Sequence, residues 1–158
     1  MFNVRLVCIG KLKEKYLTDA VKEYEKRLTA YAKFEIIELK ESFLPDNPSE
    51  KEIKAALSKE AADIIKACDG SKIILLAIEG KIISSEELAE KIARLGETGF
   101  SSISFVIGSS FGIDEELKKK HDKISMSKMT FPHQLARVMV CEQIYRAFSI
   151  LNNGKYHK

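Results

Sequence analysis

The sequence predicts a single-domain α/β protein with a mainly parallel sheet and helices on both faces. Short apolar, β-branched runs alternate with amphipathic segments along nearly the whole chain, which is typical of consecutive strand–helix–strand units. The chain has 158 residues, about the size of one domain, and 45% of them are hydrophobic. No repeat or linker divides it, so residues 1–158 are taken as one domain.

The first half of the chain predicts two strands and two helices. Gly10 ends the first apolar run, and Thr18 or Asp19 is the expected cap of the first helix. Ser49 and Glu52 resemble a capping box that opens the second helix. The predicted elements are a strand over 4–9, a helix over 17–32, a strand over 34–39 and a helix ending near Ala67.

The second half continues the alternation with three strands and three helices. Ser84 or Ser85 starts one helix, Asp114 starts a short charged helix, and Pro132 stands where a first helical turn tolerates proline. The predicted elements are strands over 72–78, 103–107 and 123–126, and helices to about Leu95, over a few residues after Asp114, and to about Leu151.

Cysteine content and hydropathy exclude several classes of protein. Cys8, Cys68 and Cys141 cannot all pair and show no CxxC spacing, which argues against a disulfide scaffold or a cysteine-rich zinc site. No apolar run approaches the roughly 18 residues of a membrane span, and the first residues lack a signal-peptide pattern. We therefore expect a protein of the reducing cytosol.

Familiar cofactor and metal motifs are also missing. No GxGxxG follows the first strand, and no GxxxxGK[ST] phosphate loop is present. His121, His133 and His157 are scattered and lack the spacing of metal ligands, so no metal is expected.

The net charge is +3, but acidic and basic residues are distributed unevenly along the chain. Residues 1–116 carry 17 basic and 21 acidic side chains, whereas residues 117–158 carry nine and two. A basic C-terminal quarter suggests an anionic partner, nucleic acid first, although a solvated basic face would give the same count.

Two predicted strands end in glycine-marked turns, at Gly80 and at Gly108–Gly112. Ligands of open α/β sheets bind beyond the carboxyl ends of strands, where such turns expose main-chain groups. A tight turn with a purely structural role is the simpler explanation of each glycine-marked segment. Gly108–Gly112 also fits the G-x-S-x-G pattern of hydrolases, with Ser110 as nucleophile, which is an alternative function.

The last helix is apolar on nearly all sides, apart from one polar stripe. Such a helix is buried, and in so small a domain we expect it to contribute to the core and to a subunit interface. Glu142 and Arg146 are four residues apart and can pair on that stripe.

Four segments resemble the signature of the ribosomal large-subunit RNA methyltransferase H family, in the SPOUT superfamily of knotted methyltransferases. They are Ser127–Gln134, Glu142–Ala147, Tyr156–Lys158 and, after the first strand, Gly10–Lys13. The resemblance implies a C-terminal trefoil knot, which general topology rules would exclude, and a homodimer. It also implies S-adenosylmethionine-dependent methylation of N-3 of a pseudouridine in the large-subunit (23S) RNA of the assembled ribosome.

The resemblance further implies a cofactor pocket made from three loops. Apolar side chains and main-chain groups there could hold adenine. Ser109 stands where the family usually has a second glycine, which leaves the loop geometry open, and Ala77 replaces its usual acidic residue. The implied cofactor-binding residues are Leu76, Gly108, Met126, Ser127, Lys128, Met129, Thr130 and Phe131.

Catalytic and RNA-binding candidates lie in the basic C-terminal quarter. His157 is the expected proton acceptor, with Tyr156 as a partner and Arg146 holding phosphate or the base. A tail that only docks RNA or packs the dimer is an equal alternative, as is a non-enzymatic RNA-binding assembly factor for the whole chain. His133 is expected to pack at the helix start. The expected RNA-binding residues are Lys118, Lys119, Lys120, Lys123 and Lys158.

Overall fold

The computed structural model describes residues 1–158 as five strands and five helices in strict alternation. This confirms the predicted order of elements. The elements are β1 (Phe2–Ile9), α1 (Lys15–Leu28), β2 (Ala32–Leu39), α2 (Glu50–Ala67), β3 (Lys72–Ile82), α3 (Ser85–Glu97), β4 (Ser102–Ile107), α4 (Glu115–Lys120), β5 (Asp122–Ser125) and α5 (His133–Leu151).

All five strands form one parallel sheet in the order β2-β1-β4-β3-β5. In strand β1, Leu6 faces Ile36 of β2 on one side and Phe105 of β4 on the other. Because the strands are parallel, the carboxyl ends of β4, β3 and β5 are neighbours at the same edge of the sheet.

Hydrophobic side chains form two cores, one on each face of the sheet. Neighbouring strand residues alternate between the cores, since successive side chains of a strand point to opposite faces. Leu6 and Phe105 belong to the core beneath α1, α3 and α5, whereas Val7 and Val106 belong to the core beneath α2 and α4. The prediction of helices on both faces is confirmed.

All three cysteines are free and buried. Burial raises the pKa of the Cys8 thiol to about 12, and burial also raises the pKa of Cys141 in α5.

We therefore expect no labelling of the folded protein by iodoacetamide at pH 8, because the thiolate is the reactive form. Mass spectrometry should show three modified thiols only in denaturant. Rapid labelling of Cys8 in the folded protein would contradict the packing described here.

Three of the predicted helix starts, at Ser49, Ser84 and Asp114, are confirmed by capping bonds and one is wrong. Ser49 and Ser84 each accept a hydrogen bond from the backbone N–H three residues later, and both complete a capping box. The expected cap of α1 at Thr18 or Asp19 is not formed, since the helix begins at Lys15. Inside the helix, Thr18 donates to the Glu14 carbonyl and Asp19 pairs with Lys15.

Strand β3 is longer than predicted and changes register. It runs to Ile82, and its pairing with β5 shifts between Leu76 and Lys81. Residues 77–80, which we call the β3 bulge, therefore lie outside the regular ladder. A Cβ added at Gly80 would lie 2.8 Å from backbone atoms of Lys123 and Ile124, so only glycine fits there.

Helix α5 is buried along one side and half-exposed along another. Cys141 and Ile144 are fully buried, but Leu135 and Leu151 remain 40% and 37% exposed within one chain. Ser149, a polar residue near the end of the helix, is buried because the chain after the helix folds back against it. None of the five helices combines the length and the apolar character needed to cross a membrane.

Candidate active site

A cavity of about 180 Å³ lies at the carboxyl ends of β3, β4 and β5. Its walls are mostly apolar, as in small-molecule sites. Six of the eight predicted cofactor residues contribute to it, whereas Gly108 and the exposed Lys128 do not. The lining residues are Leu76, Ala77, Ile78, Ile107, Ile124, Ser125, Met126, Ser127, Met129, Thr130, Phe131, Ala136 and Val140.

Residues 126–131, which we call the cofactor loop, are fixed by short hydrogen bonds. The Ser125 hydroxyl donates to the Ser127 carbonyl over 2.9 Å, and the Met129 N–H donates to the Ser127 hydroxyl over 3.0 Å. These bonds hold the loop in a tight turn between β5 and α5. Met129 is 74% exposed, so its thioether stands at the rim of the cavity.

A second, larger cavity of about 510 Å³ adjoins the first. Leu76, Met126 and Phe131 line both, so the two volumes share a wall. The second cavity extends along α3 and α5 to Glu142 and Gln143. One end of this composite site is therefore apolar, while the other ends at polar groups of the C-terminal helix.

The loop after β4 makes a tight hairpin. Ser109 and Gly112 form an isolated bridge, with the Gly112 N–H 2.8 Å from the Ser109 carbonyl. Gly112 has a φ of 95°, whereas Ser109 has no positive φ. A side chain at Ser109 is therefore compatible with this loop. Gly108 has its own requirement, since a Cβ there would collide with the backbone of Gly112.

The chain reverses direction at the end of α5. The Asn153 N–H bonds to the Ile150 carbonyl and the Gly154 N–H to the Ser149 carbonyl, with Asn153 at a φ of 57°. This is a Schellman motif, in which asparagine takes the left-handed position that glycine usually occupies. The reversal places residues 155–158, which we call the tail, back alongside α5.

Glu142 holds the tail against α5. Its Oε1 accepts bonds from Arg146 and, over 3.0 Å, from the Tyr156 hydroxyl. Its Oε2 accepts from Gln143. Tyr156 also stacks edge-on against Tyr145 at 4.8 Å between ring centroids, and the Arg146 guanidinium lies 4.7 Å from the Tyr156 ring. The predicted Glu142–Arg146 pair is present and orders the tail.

The His157 ring is fixed by a bond at each nitrogen. Nδ1 lies 3.1 Å from Nη1 of Arg146, and Nε2 lies 2.7 Å from Oε1 of Glu86. Guanidinium groups only donate, so Nδ1 is the acceptor and Nε2–H donates to Glu86. This tautomer is a neutral imidazole whose single basic lone pair is covered by Arg146.

Tyr156 is held as a phenol. Burial, together with hydrogen bonds to Tyr24 and Glu142, raises its pKa well above the ordinary value for tyrosine. Near neutral pH its hydroxyl therefore stays protonated and acts as a hydrogen-bond donor. Of the three predicted catalytic residues, Tyr156 and Arg146 therefore serve as donors, and only His157 has a basic lone pair.

The predicted RNA-binding lysines fall into two groups. Lys118 is 16% exposed and pairs with Glu79 and Glu115, while Lys123 donates to the Lys118 carbonyl over 2.7 Å. Lys119, Lys120 and Lys158 are exposed, although Lys119 pairs with Glu116. Lys118 and Lys123 therefore make contacts within the protein, and the other three lysines face solvent.

Sequence reasoning missed an ion pair between a buried arginine and a partly exposed glutamate beneath the start of α5. Arg137 is 1% exposed, and its Nη atoms bond to Glu38 Oε2 at 2.6 Å and to the Gly10 carbonyl at 3.0 Å. His133 Nε2 lies 3.2 Å from the Ile9 carbonyl, at the helix start as expected. The contacts fasten α5 to the end of β1. An arginine inside an apolar helix was the signal that could have revealed them.

The alternative function as a G-x-S-x-G hydrolase lacks the serine–histidine contact that it requires. Ser110 lies in an exposed turn outside both cavities, while Nε2 of His133 and both ring nitrogens of His157 are bonded elsewhere. A nucleophilic serine needs a histidine within hydrogen-bond reach. No group of three or more His, Cys, Asp or Glu side chains is arranged to hold a metal ion.

Comparison with known proteins adds independent information. Residues 2–157 match the family model described as "Predicted SPOUT methyltransferase". Two Clostridium perfringens proteins, from strains SM101 and ATCC 13124, are each 49% identical over 158 residues and covered to 99%, as is this chain. They are named ribosomal RNA large subunit methyltransferase H 1 and ribosomal RNA large subunit methyltransferase H.

The fold also has a counterpart among solved structures. A Haemophilus influenzae structure, described as a "probable methylase family protein", superimposes with a TM-score of 0.52 at 19% identity. The match covers 96% of this chain and 67% of that chain. At this identity the likeness concerns the fold alone.

Proposed function

Because the chain belongs to the SPOUT methyltransferase family, we propose that residues 1–158 act as one domain that methylates large-subunit ribosomal RNA. The observation that carries the proposal is the pair of adjoining cavities at the carboxyl ends of β3, β4 and β5. Relatives of 49% identity bear the name of this activity. As the finer assignment, we propose N-3 of a pseudouridine in 23S RNA as the methylated atom.

The smaller cavity suits S-adenosylmethionine. Leu76, Met129 and Phe131 offer apolar surface to an adenine ring, and main-chain groups of the cofactor loop offer hydrogen bonds to its edge. The cofactor carries no phosphate, consistent with a site that lacks a phosphate loop. When bound, it supplies an electrophilic methyl group on a sulfonium. Gly108 would then keep the neighbouring hairpin compact rather than line the cavity.

The tail is proposed to prepare the target base. The N-3 proton must leave as the new N–C bond forms, and Nδ1 of His157 is the proposed acceptor. Arg146 covers this atom, so it would have to move from Nδ1 toward the RNA, where its guanidinium can hold a phosphate or a base carbonyl. Glu86 would keep the imidazole oriented through Nε2–H during that exchange.

The exposed lysines are proposed to contact RNA. Lys119, Lys120 and Lys158 are exposed and can meet phosphates, Lys119 by leaving its exposed partner Glu116, whereas Lys118 and Lys123 are held by internal contacts. A substrate in the assembled ribosome places the enzyme in the cytoplasm, which fits the reduced cysteines.

A homodimer and a trefoil knot remain part of the proposal. Half-exposed Leu135 and Leu151 leave α5 with apolar surface for a second copy of the chain. Gly80 brings the β3 bulge against the backbone of β5, where two segments of such a knot would lie close together. Two subunits would enlarge a site that is small in one chain.

The decisive experiment is methyl transfer to purified ribosomes. Incubation with radiolabelled S-adenosylmethionine is expected to label large-subunit RNA, and nucleotide mapping should place the label at N-3 of a pseudouridine. Free large-subunit RNA tests whether assembly is required. The control is Leu76→Arg, which puts a charged side chain into the wall of both cavities and should stop labelling.

Two outcomes would exclude this function. The absence of label from large-subunit RNA would reject the proposed activity. Saturable cofactor binding without transfer would favour the assembly-factor alternative instead.

A further inference from the structure

The β3 bulge forms part of the wall of the smaller cavity. Ala77 and Ile78 line that cavity, and both lie between Leu76 and Lys81, where the ladder to β5 is interrupted. Residues in this stretch lack the regular backbone bonds that fix a strand. Another contact must therefore hold the wall in place.

Glu79 supplies that contact from the centre of the bulge. Its Oε1 bonds to Nζ of Lys118 at 2.5 Å, and Lys118 also meets Glu115 at 2.8 Å. The Lys118 side chain is 16% exposed and the Glu79 side chain 46% exposed, so the pair is partly shielded from solvent. The hydrogen bond from Lys118 lowers the pKa of Glu79, so this carboxylate stays ionised to lower pH than an ordinary glutamate.

Lys118 is itself well anchored. It belongs to α4, whose Leu117 is buried in the core beneath α2 and α4, and Asp114 caps that helix. The Lys118 carbonyl accepts a 2.7 Å bond from Lys123 at the start of β5. Through these contacts one lysine joins the β3 bulge to α4 and to β5.

We propose that Lys118 and Glu79 are positioning residues that set the cofactor-cavity wall, so that this lysine serves cofactor affinity rather than RNA contact. The inference rests on the proposed function only in naming S-adenosylmethionine as the ligand. Neither side chain lines the cavity, so each acts through the placement of Ala77 and Ile78.

The test measures S-adenosylmethionine binding by titration calorimetry on the full-length protein. Lys118→Met and Glu79→Gln are each expected to raise Kd about fivefold, the upper range for a partly exposed pair. The double variant should bind no more weakly than either single variant, because both remove the same contact. Lys118→Arg should restore affinity to within about twofold.

Steady-state kinetics separate positioning from general stability. In ribosome methylation the Lys118→Met variant should show a raised KM for the cofactor with a nearly unchanged kcat. The matched control is Lys120→Met on the exposed side of the same helix. It should leave cofactor Kd unchanged and weaken ribosome binding.

The outcomes distinguish the two proposals. If the unaltered protein binds the cofactor and Lys118→Met binds it equally well, the positioning role is wrong, and ribosome binding weakened as in Lys120→Met would restore Lys118 as an RNA contact. If the cofactor binds and depends on Lys118 but no RNA is methylated, the positioning role holds and the proposed function fails. If the unaltered protein binds no cofactor, both proposals are overturned.

Discussion

Removal of the tail residues Tyr156–Lys158 is expected to abolish methyl transfer to ribosomes while leaving S-adenosylmethionine affinity within about twofold. Neither Tyr156 nor His157 lines either cavity, so the cofactor site should persist. Their hydrogen bonds to Glu142, Arg146 and Glu86 would be lost together. Calorimetry and radiolabel transfer on the same preparation measure the two properties separately.

Single substitutions measure how much each tail residue contributes to methyl transfer. His157→Gln should reduce transfer by about 10²- to 10⁴-fold, the usual contribution of general base catalysis. Tyr156→Phe deletes the hydroxyl contacts to Glu142, at 3.0 Å, and to Tyr24, and should cost about threefold to tenfold. Lys155→Met is the control, because this exposed residue precedes the tail contacts. Undiminished transfer by the truncated protein would remove the tail from the mechanism.

Gly80→Ala is expected to destabilise the fold strongly. Three backbone atoms of Lys123 and Ile124 lie 2.8 Å from the position of the new Cβ, and backbone cannot rotate away as a side chain can. Overpacking at such a site should lower the free energy of unfolding by about 3 kcal/mol. For a chain of this size Tm should fall by about 6 to 12 °C.

Gly96→Ala provides the matched control for that substitution. Its new Cβ would meet the Phe2 ring at 3.0 Å, and this ring edge can shift. Alanine also favours the α3 helix by up to about 1 kcal/mol relative to glycine. We therefore expect a change in Tm of less than about 4 °C for Gly96→Ala. A normal melting curve for Gly80→Ala would show that the β3 bulge does not lie tightly against β5.

Local patterns account for the parts of the fold that were predicted well. The capping boxes at Ser49 and Ser84 depend on contacts three residues apart, and the alternating strand residues depend on a period of two. The predicted bounds of α1, residues 17–32, are wrong, since the helix runs from Lys15 to Leu28. The polar residues before Leu17 join it without adding to its apolar stripe, and Ala32 already begins β2.

The cofactor loop was also accessible from sequence, because its motif is continuous. Met126, Ser127, Met129, Thr130 and Phe131 all line the cavity. Lys128 belongs to the same motif but points to solvent, and Gly108 supports the loop after β4 without entering the wall. A motif identifies the segment, whereas the turn decides which side chains face inward.

The sequence by itself determined one α/β domain, the order of its elements, the parallel sheet and the segments that surround the cavity. Only the tertiary structure decided that Glu86 contacts His157, that Lys118 forms an ion pair with Glu79, and that Arg137 links α5 to β1. Glu86 and His157 are 71 residues apart, and no periodicity connects them. Helical and strand patterns are encoded within a few residues, but the pairing of distant charges depends on strand order and register.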